Sequence, residues 1–324
     1  MPNVGIVGTF AASLEDAVRR NLTVPSEIVV SNEAGIISRL ADIDVLVTMV
    51  LTDEMGRACR RLKLVQVPGA GVDRIDRSAM PSGAWLANVY GHENGIAEYV
   101  MGAMIALTRD LVRLDVALRK GNWQSQWAIG VAPPPVWPEL AGKTIGILGY
   151  GRIGQAVARR ACAFDMKICA VRQDLRRPIQ EDLAFLGGPD STDKVIGRSD
   201  YVLISMPATP GTVGLMDRRR LGLMKSTAFL INVSRAEIVD EDALHEALAE
   251  RSIAGAVLDV WYRYPREAGL VPPATRPFHE LPNVLMTPHV SGWTDGMLDA
   301  RAKLIAENIR RIAHGETPLN LVDP

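Results

Sequence analysis

The feature that most constrains the fold is a glycine-rich turn set between two apolar runs. Thr144–Leu148 is a short apolar run typical of a buried parallel strand. It leads into Gly149–Gly154 (GYGRIG), then into an amphipathic stretch, Gln155–Phe164, and a second apolar run, Lys167–Val171. A strand, a glycine turn, a helix and a strand within about thirty residues are the context in which G-x-G-x-x-G indicates dinucleotide binding.

Each glycine of this turn has its own mechanical role. Gly149 permits the tight turn, Gly151 lets backbone approach a pyrophosphate, and Gly154 lets helix pack closely on strand. The pyrophosphate is expected at the free N–H groups and positive dipole end of the helix. The candidate cofactor contacts from the turn are Gly149, Tyr150, Gly151, Arg152, Ile153 and Gly154.

Composition and charge bound the classes of protein that the chain can represent. At 324 residues it is long enough for two domains with separate cores. Its net charge of −1 gives no electrostatic reason to expect nucleic acid or an anionic membrane as partner. The N-terminus lacks a basic segment followed by an apolar core, and runs such as Ile43–Leu51 are too short to span a bilayer.

Cysteine and histidine usage favours a reducing compartment and no metal centre. The three cysteines, Cys59, Cys162 and Cys169, are odd in number and form no C-x-x-C pair. The five histidines show no H-x-x-x-H or paired Cys/His spacing. We therefore expect a cytoplasmic protein without a metal site.

Short apolar runs alternate with helix-like stretches on both sides of the glycine turn, which predicts parallel α/β sheets. The runs before the turn are Val4–Val7, Ile28–Val30, Val45–Val50, Leu64–Val67 and Trp85–Val89, and those after it are Tyr201–Ile204, Phe229–Asn232, Gly255–Asp259 and Val284–Met286. The last stretch, Asp295–His314, is predicted to be a helix long enough to return to the first domain.

The region just before the glycine turn predicts a subunit contact. Ile96–Lys120 has helical periodicity between Asn94, a possible N-cap, and Gly121, a possible stop. The stretch that follows, Asn122–Glu139, is irregular and contains Trp123, Trp127 and Trp137. Three tryptophans on irregular chain need a surface to pack on, so we expect a protruding arm at a homodimer interface. The alternative is a loop folded onto its own domain.

Chemically useful side chains follow several of the predicted strands. In open parallel sheets, ligands bind outside the carboxyl ends of the strands. Those ends are followed by Gly149, Arg172, Met206-Pro207, Ser234-Arg235, Asp259 and Pro288-His289. A guanidinium can bind a carboxylate bidentately, and an imidazolium with a pKa of roughly 6.5 can protonate an alkoxide. Arg235 and His289 therefore fit hydride transfer to a 2-oxo acid.

The chain resembles the D-isomer-specific 2-hydroxyacid dehydrogenases over nearly its whole length, including the segments that contain Arg235 and His289. The matching segments are Val67–Asp76, Leu140–Gly154, Ile231–Asp242, Ile253–Val260 and Thr287–Gly292. The resemblance implies a doubly wound Rossmann domain, residues 96–292, inserted in a flavodoxin-like α/β substrate domain, residues 1–95 and 293–324.

The resemblance also implies site roles. The amides of Ala70 and Gly71 would hold the substrate carboxylate with Arg235, and His289 would be the acid/base. The alternative for Arg235 is a surface arginine at a turn, and the alternative for His289 is a structural, hydrogen-bonded histidine. The further cofactor contacts expected are Asp259 on the nicotinamide carboxamide, Pro207 behind the ring, Thr212, Val233, Ser234, His289 and Gly292.

The chain departs from the family pattern beside His289. A glutamate normally stands five residues after the aspartate of the L-D-V motif, whereas here that position is Tyr264. A carboxylate near an imidazole raises its pKa by roughly one to three units, and a neutral phenol cannot supply that charge. Tyr264 can still orient the ring, and Glu267 is the alternative source of a carboxylate. We therefore expect a working enzyme whose His289 is less basic than usual.

A second departure concerns the cofactor. An NAD enzyme usually carries Asp or Glu at the end of the second strand, about 18 residues beyond the last glycine, and this chain has Arg172 there. An arginine binds a 2′-phosphate, which favours NADP(H) over NAD(H). NAD(H) remains the alternative if Asp174 reaches the ribose or Arg172 points to solvent.

The predicted function is reduction of small 2-oxo acids, with glyoxylate and hydroxypyruvate as first candidates. One alternative is a dinucleotide-sensing binding protein on the same scaffold, although binding alone does not require both Arg235 and His289. A second is hydride oxidation of another small anion, such as formate or phosphite, which needs no proton donor and so agrees with Tyr264 in place of glutamate.

Overall fold

The computed structural model describes residues 1–130, 132, 136–265 and 269–322. The chain divides into two compact units, one formed by 1–92 with 293–324 and the other by 93–292. The strands are β1 Asn3–Val7, β2 Glu27–Ser31, β3 Val45–Thr48, β4 Leu64–Gln66, β5 Trp85–Ala87, β6 Thr144–Leu148, β7 Lys167–Val171, β8 Phe185–Gly187, β9 Tyr201–Ile204, β10 Phe229–Asn232, β11 Gly255–Leu258 and β12 Val284–Met286. The predicted parallel α/β class is confirmed.

The α-helices of the described residues lie between these strands, except that the longest helix follows the last strand. They are α1 Thr9–Ala12, α2 Glu15–Asn21, α3 Glu33–Ile36, α4 Asp53–Ala58, α5 Glu93–Thr108, α6 Leu111–Arg119, α7 Arg152–Cys162, α8 Thr192–Arg198, α9 Arg218–Leu221, α10 Glu241–Ala249 and α11 Asp295–Ala313. None of the helices described is long and apolar enough to cross a membrane.

The first unit is built on a parallel sheet in the order β2-β1-β3-β4-β5. Helix α11 covers one face, where Ile305 and Ile309 pack with Val4 and Val47. Thr294 caps this helix by accepting a hydrogen bond from the N–H of Met297. A second apolar cluster, which includes Ile36 and Leu46, covers the other face, so both faces of the sheet are buried, as expected of an all-parallel sheet.

The second unit is built on a longer parallel sheet, in the order β12-β11-β10-β9-β6-β7-β8. The strand order reverses between β6 and β9, which pair directly. Helices α5 and α7 cover one face, and α8, α9 and α10 cover the other. A reversal of this kind opens a crevice at the carboxyl ends of the strands, where ligands of doubly wound sheets bind.

The helix predicted over 96–120 is interrupted, which corrects the sequence-based expectation. Helix α5 ends at Thr108 and α6 begins at Leu111, because Asp110 adopts a left-handed conformation with φ 55°. Aspartate tolerates this conformation better than most residues, and Asp110 also pairs with Arg113 in the new helix. Strand β8 was missed by the sequence analysis.

Candidate active site

The loops that follow β6, β9 and β10 are tied together at the reversal point. Ser205 Oγ donates to the carbonyl of Gly149 at 2.9 Å, and Ser234 Oγ donates to the carbonyl of Met206. Gly149 has φ 104°, and a Cβ there would lie 2.6 Å from the backbone nitrogen of Met206. The turn after β6 therefore requires glycine at this position.

The glycine turn has the shape that a dinucleotide needs. A Cβ on Gly154 would lie 2.6 Å from the carbonyl of Gly149, so helix α7 packs directly on the turn. A Cβ on Gly151 would meet nothing within 4 Å, and no side chain caps the N-terminus of α7. The residues present thus leave open space beside Gly151 and place no side-chain cap at the start of α7, where the pyrophosphate is expected.

Tyr150, inside the turn, faces the protein. Its side chain is buried, its hydroxyl donates to Glu181, and Glu181 also accepts from Arg159 at 3.1 Å. Burial, with the nearby carboxylate of Glu181, raises the pKa of Tyr150. Only its backbone is left to contact a ligand.

Arg172 lies at the end of β7 and turns inward. The side chain is 8% exposed, and Nη2 donates to the carbonyls of Leu175 (3.3 Å) and Arg177. Its Nε and Nη1 atoms are buried without a hydrogen-bond partner among the described residues. The N–H and Nε of Arg176 bind Asp174 at 3.1 and 2.9 Å, and this pairing lowers the pKa of Asp174.

The turn after β10 fixes the backbone position of Arg235. Asn232 is buried, its Nδ2 donates to the carbonyl of Arg235 at 2.9 Å, and its Oδ1 accepts from the N–H of Ser234 at 3.1 Å. Arg235 Nη1 donates to the carbonyl of Ser234 at 2.9 Å. The amide of Asn232 therefore fixes the backbone from which the guanidinium projects.

His289 follows β12 and contacts Tyr264, as the sequence analysis expected of an orienting residue. The Tyr264 hydroxyl is 2.8 Å from Nδ1 of His289 and accepts from the N–H of Trp261 at 3.2 Å. Among the described residues, no hydrogen bond is made to Nε2 of the imidazole. The alternative partner, Glu267, lies outside the described residues.

The pKa of His289 is lowered, chiefly because the surrounding protein displaces water from the ring. The charge of Asp259 opposes this change, and the charge of Arg235 adds to it. Desolvation also raises the pKa of Tyr264, against the charge of Arg235. The charge of Arg235 therefore lowers the pKa of both rings, and the shared site of Arg235 and His289 stays a prediction.

Asp259 is fully buried behind this site. Oδ1 accepts from Thr287 Oγ1 at 2.6 Å and from the N–H of Val290 at 2.9 Å, and Oδ2 accepts from the N–H of Ser291 at 2.9 Å. A carboxylate has about four acceptor positions. The described residues therefore fill three of these positions, and the contact of Asp259 with a nicotinamide carboxamide stays a prediction.

The remaining predicted contacts differ in what they offer. Thr212 Oγ1 donates to the carbonyl of Pro207 at 2.8 Å and so shapes the loop after β9. Val233 is buried. Ala70 and Gly71 belong to the first unit, after β4, where the carbonyl of Ala70 accepts from Asn88 Nδ2 at 2.8 Å. The ligand contacts predicted for all of these residues, and for Gly292, remain predictions.

Sequence reasoning missed residues that support the site without touching a ligand. Thr287 binds Asp259, and its carbonyl accepts from Trp261 Nε1 at 2.8 Å. Its place in the T-P-H run was the available signal. Within the part of the chain that the structure describes, no group of three or more His, Cys, Asp or Glu residues could hold a metal.

Comparison with known proteins supplies the family. Residues 101–291 match the model of the D-isomer specific 2-hydroxyacid dehydrogenase NAD binding domain. The chain is 35% identical over 296 residues to glyoxylate reductase of Pyrococcus furiosus, covering 89% of this chain and 84% of that one.

Solved structures agree over the whole fold. An NADPH-dependent glyoxylate/hydroxypyruvate reductase from Sinorhizobium meliloti, in complex with NADP and malonate, has a TM-score of 0.81 at 26% identity, covering 99% of this chain and 96% of that one. An acyclic imino acid reductase in complex with NADPH and D-Arg also has a TM-score of 0.81 at 26% identity, covering all of both chains. This chain therefore belongs to the D-isomer specific 2-hydroxyacid dehydrogenases, as its motifs predicted, and is an NAD(P)-dependent oxidoreductase that acts by hydride transfer.

Proposed function

We propose that this enzyme reduces short 2-oxo acids to 2-hydroxy acids with NADPH, and that glyoxylate and hydroxypyruvate are substrates. The observation that carries the proposal is the Tyr264–His289 contact of 2.8 Å, with the charge of Arg235 acting on both rings. The names of the reductases to which the chain is similar support the substrates. We assign dinucleotide binding to the unit 93–292 and a substrate-binding role to the other unit.

The proposed roles follow from the chemistry of each group. When bound, the reduced nicotinamide supplies the hydride. The guanidinium of Arg235 binds the substrate carboxylate and orients the 2-oxo carbon. His289, held at Nδ1 by Tyr264, donates the proton on Nε2 to the oxygen that becomes negative as hydride arrives. Asp259 keeps the His289 loop in place from behind.

A second candidate hydride acceptor is a 2-imino acid. The observation that favours it is the phenol, rather than a carboxylate, at Nδ1 of His289. A protonated imine already carries its proton, so hydride transfer yields the neutral amine without a proton from His289. One similar solved structure is that of an acyclic imino acid reductase.

The central test crosses NADPH and NADH with glyoxylate, hydroxypyruvate, pyruvate and longer 2-oxo acids, each with and without methylamine. We expect loss of NADPH absorbance with the shortest acids, and a reduction of kcat/KM by at least about a hundred-fold in Arg235→Ala, because a bidentate ion pair is lost. Arg198→Gln, an exposed arginine of the same unit, is the charge control. Rates that require methylamine would identify the imine, and cofactor binding without turnover would favour the binding-protein alternative.

The pH dependence tests the role of Tyr264. Reduction requires protonated His289, so its rate should fall as pH rises through the lowered pKa of this residue. Tyr264→Glu adds a negative charge at Nδ1, and the fall should then occur roughly one to three pH units higher. Tyr264→Phe, which adds no charge, is the control and should show no upward shift. Identical profiles for wild type and Tyr264→Glu would contradict the assignment.

Arg172 supports the preference for NADPH. Its buried Nε and Nη1 atoms lack an acceptor among the described residues, and a 2′-phosphate would supply one. Asp174, the alternative ribose ligand, is engaged by Arg176. Arg172→Gln should weaken NADPH binding by roughly ten- to a hundred-fold, the effect of losing hydrogen bonds to a charged group, with little change for NADH. Tighter binding of NADH than of NADPH by the wild type would reverse the proposal.

We also propose that the enzyme is a homodimer joined through α6 and the segment after it. Trp127 is 84% exposed and Ile129 fully exposed, and α6 presents Val112 and Val116 to solvent. An exposed apolar surface of this extent typically marks a protein interface. Trp127→Ser should shift the molar mass measured by light scattering toward that of one chain. Trp85→Ser, an exposed tryptophan of the other unit, should leave the mass unchanged, and a wild type with the mass of one chain would refute the dimer.

A further inference from the structure

A chain of hydroxyl groups connects helix α5 to the buried carboxylate behind His289. The hydroxyl of Tyr99 lies 2.5 Å from Oγ1 of Thr287, and Thr287 Oγ1 lies 2.6 Å from Oδ1 of Asp259. Tyr99 and Thr287 are 188 residues apart in sequence. The contact therefore joins helix α5, which covers one face of the sheet, to the loop after β12.

The direction of the hydrogen bonds along this chain is fixed. An ionised carboxylate only accepts, so the single hydroxyl proton of Thr287 points to Asp259. Tyr99 must then donate to Thr287. Burial raises the pKa of Tyr99 to about 12, so its hydroxyl keeps the proton that it donates. Hydroxyl groups in series polarise and strengthen each other.

The same carboxylate holds the backbone next to the catalytic histidine. Asp259 accepts from the N–H groups of Val290 and Ser291, which directly follow His289. His289 itself has φ 58°, a left-handed conformation that is costly for a non-glycine residue and needs support from its surroundings. A change in the hydrogen bonds of Asp259 will therefore alter the position of the His289 imidazole.

We propose that Tyr99 is a positioning residue for His289, acting through Thr287 and Asp259. The kinetic consequence rests on the proposed reduction of 2-oxo acids, whereas the structural consequence does not. Tyr99 does not contact His289 in the described contacts, so its hydroxyl acts on catalysis by keeping the loop 287–291 in one arrangement.

Tyr99→Phe tests the proposal with a matched control. It should lower kcat by roughly two- to ten-fold, the effect of one lost hydrogen bond, with KM for NADPH unchanged. Tyr201→Phe removes another buried tyrosine–threonine hydrogen bond of the same unit, Tyr201–Thr108 at 3.0 Å, and should leave kcat unchanged. In a Thr287→Val background, Tyr99→Phe should have no further effect. An equal loss in both backgrounds would overturn the proposal.

Hydrogen exchange supplies a readout that does not depend on the reaction. The amide hydrogens of Val290 and Ser291 should exchange roughly two- to ten-fold faster in Tyr99→Phe than in wild type or in Tyr201→Phe. Unchanged exchange at both amides would overturn the inference. A wild type that reduces no 2-oxo acid would refute the proposed function, and the exchange rates would still decide the role of Tyr99.

Discussion

The carboxylate of Asp259 is the interaction on which the site depends. It is completely buried, and it accepts one hydroxyl and two backbone N–H groups from residues 287–291. Hydrogen bonds to a charged group are stronger than those between neutral groups, so this cluster can hold His289 in its left-handed conformation. Asp259 thus directly follows strand β11, and the backbone that its charge holds, residues 287–291, directly follows strand β12.

The pKa of His289 depends on the charges that lie near its imidazole. Asp259 favours the protonated ring, and desolvation together with Arg235 disfavours it. At Nδ1, where the family usually has a carboxylate, this chain has the neutral hydroxyl of Tyr264. The balance gives an imidazole that is less basic than the family pattern implies and that holds its proton only at lower pH, while the hydrogen bond that orients the ring is kept.

Much of the fold was predictable from the sequence because its signals are local. Alternating apolar runs predict the parallel strands, and the glycine turn falls directly after β6, at the point where the strand order reverses. Arg235 and His289 could be selected because the carboxyl ends of parallel strands meet at one edge. The left-handed Asp110 that separates α5 from α6 was not predictable, because helical periodicity continues through it. The inward turn of Arg172 and the pairing of Tyr99 with Thr287 depend on tertiary packing, on which a sequence pattern carries no information.

The hydroxyl at Nδ1 of His289 has one more consequence. A carboxylate can only accept, so it would fix the neutral ring in the tautomer that carries its hydrogen on Nδ1. The oxygen of Tyr264 can donate to a bare Nδ1 or accept from a protonated one, while still accepting from Trp261. The imidazole can therefore pass through all its protonation forms when a single hydroxyl hydrogen rotates and every heavy atom stays in place.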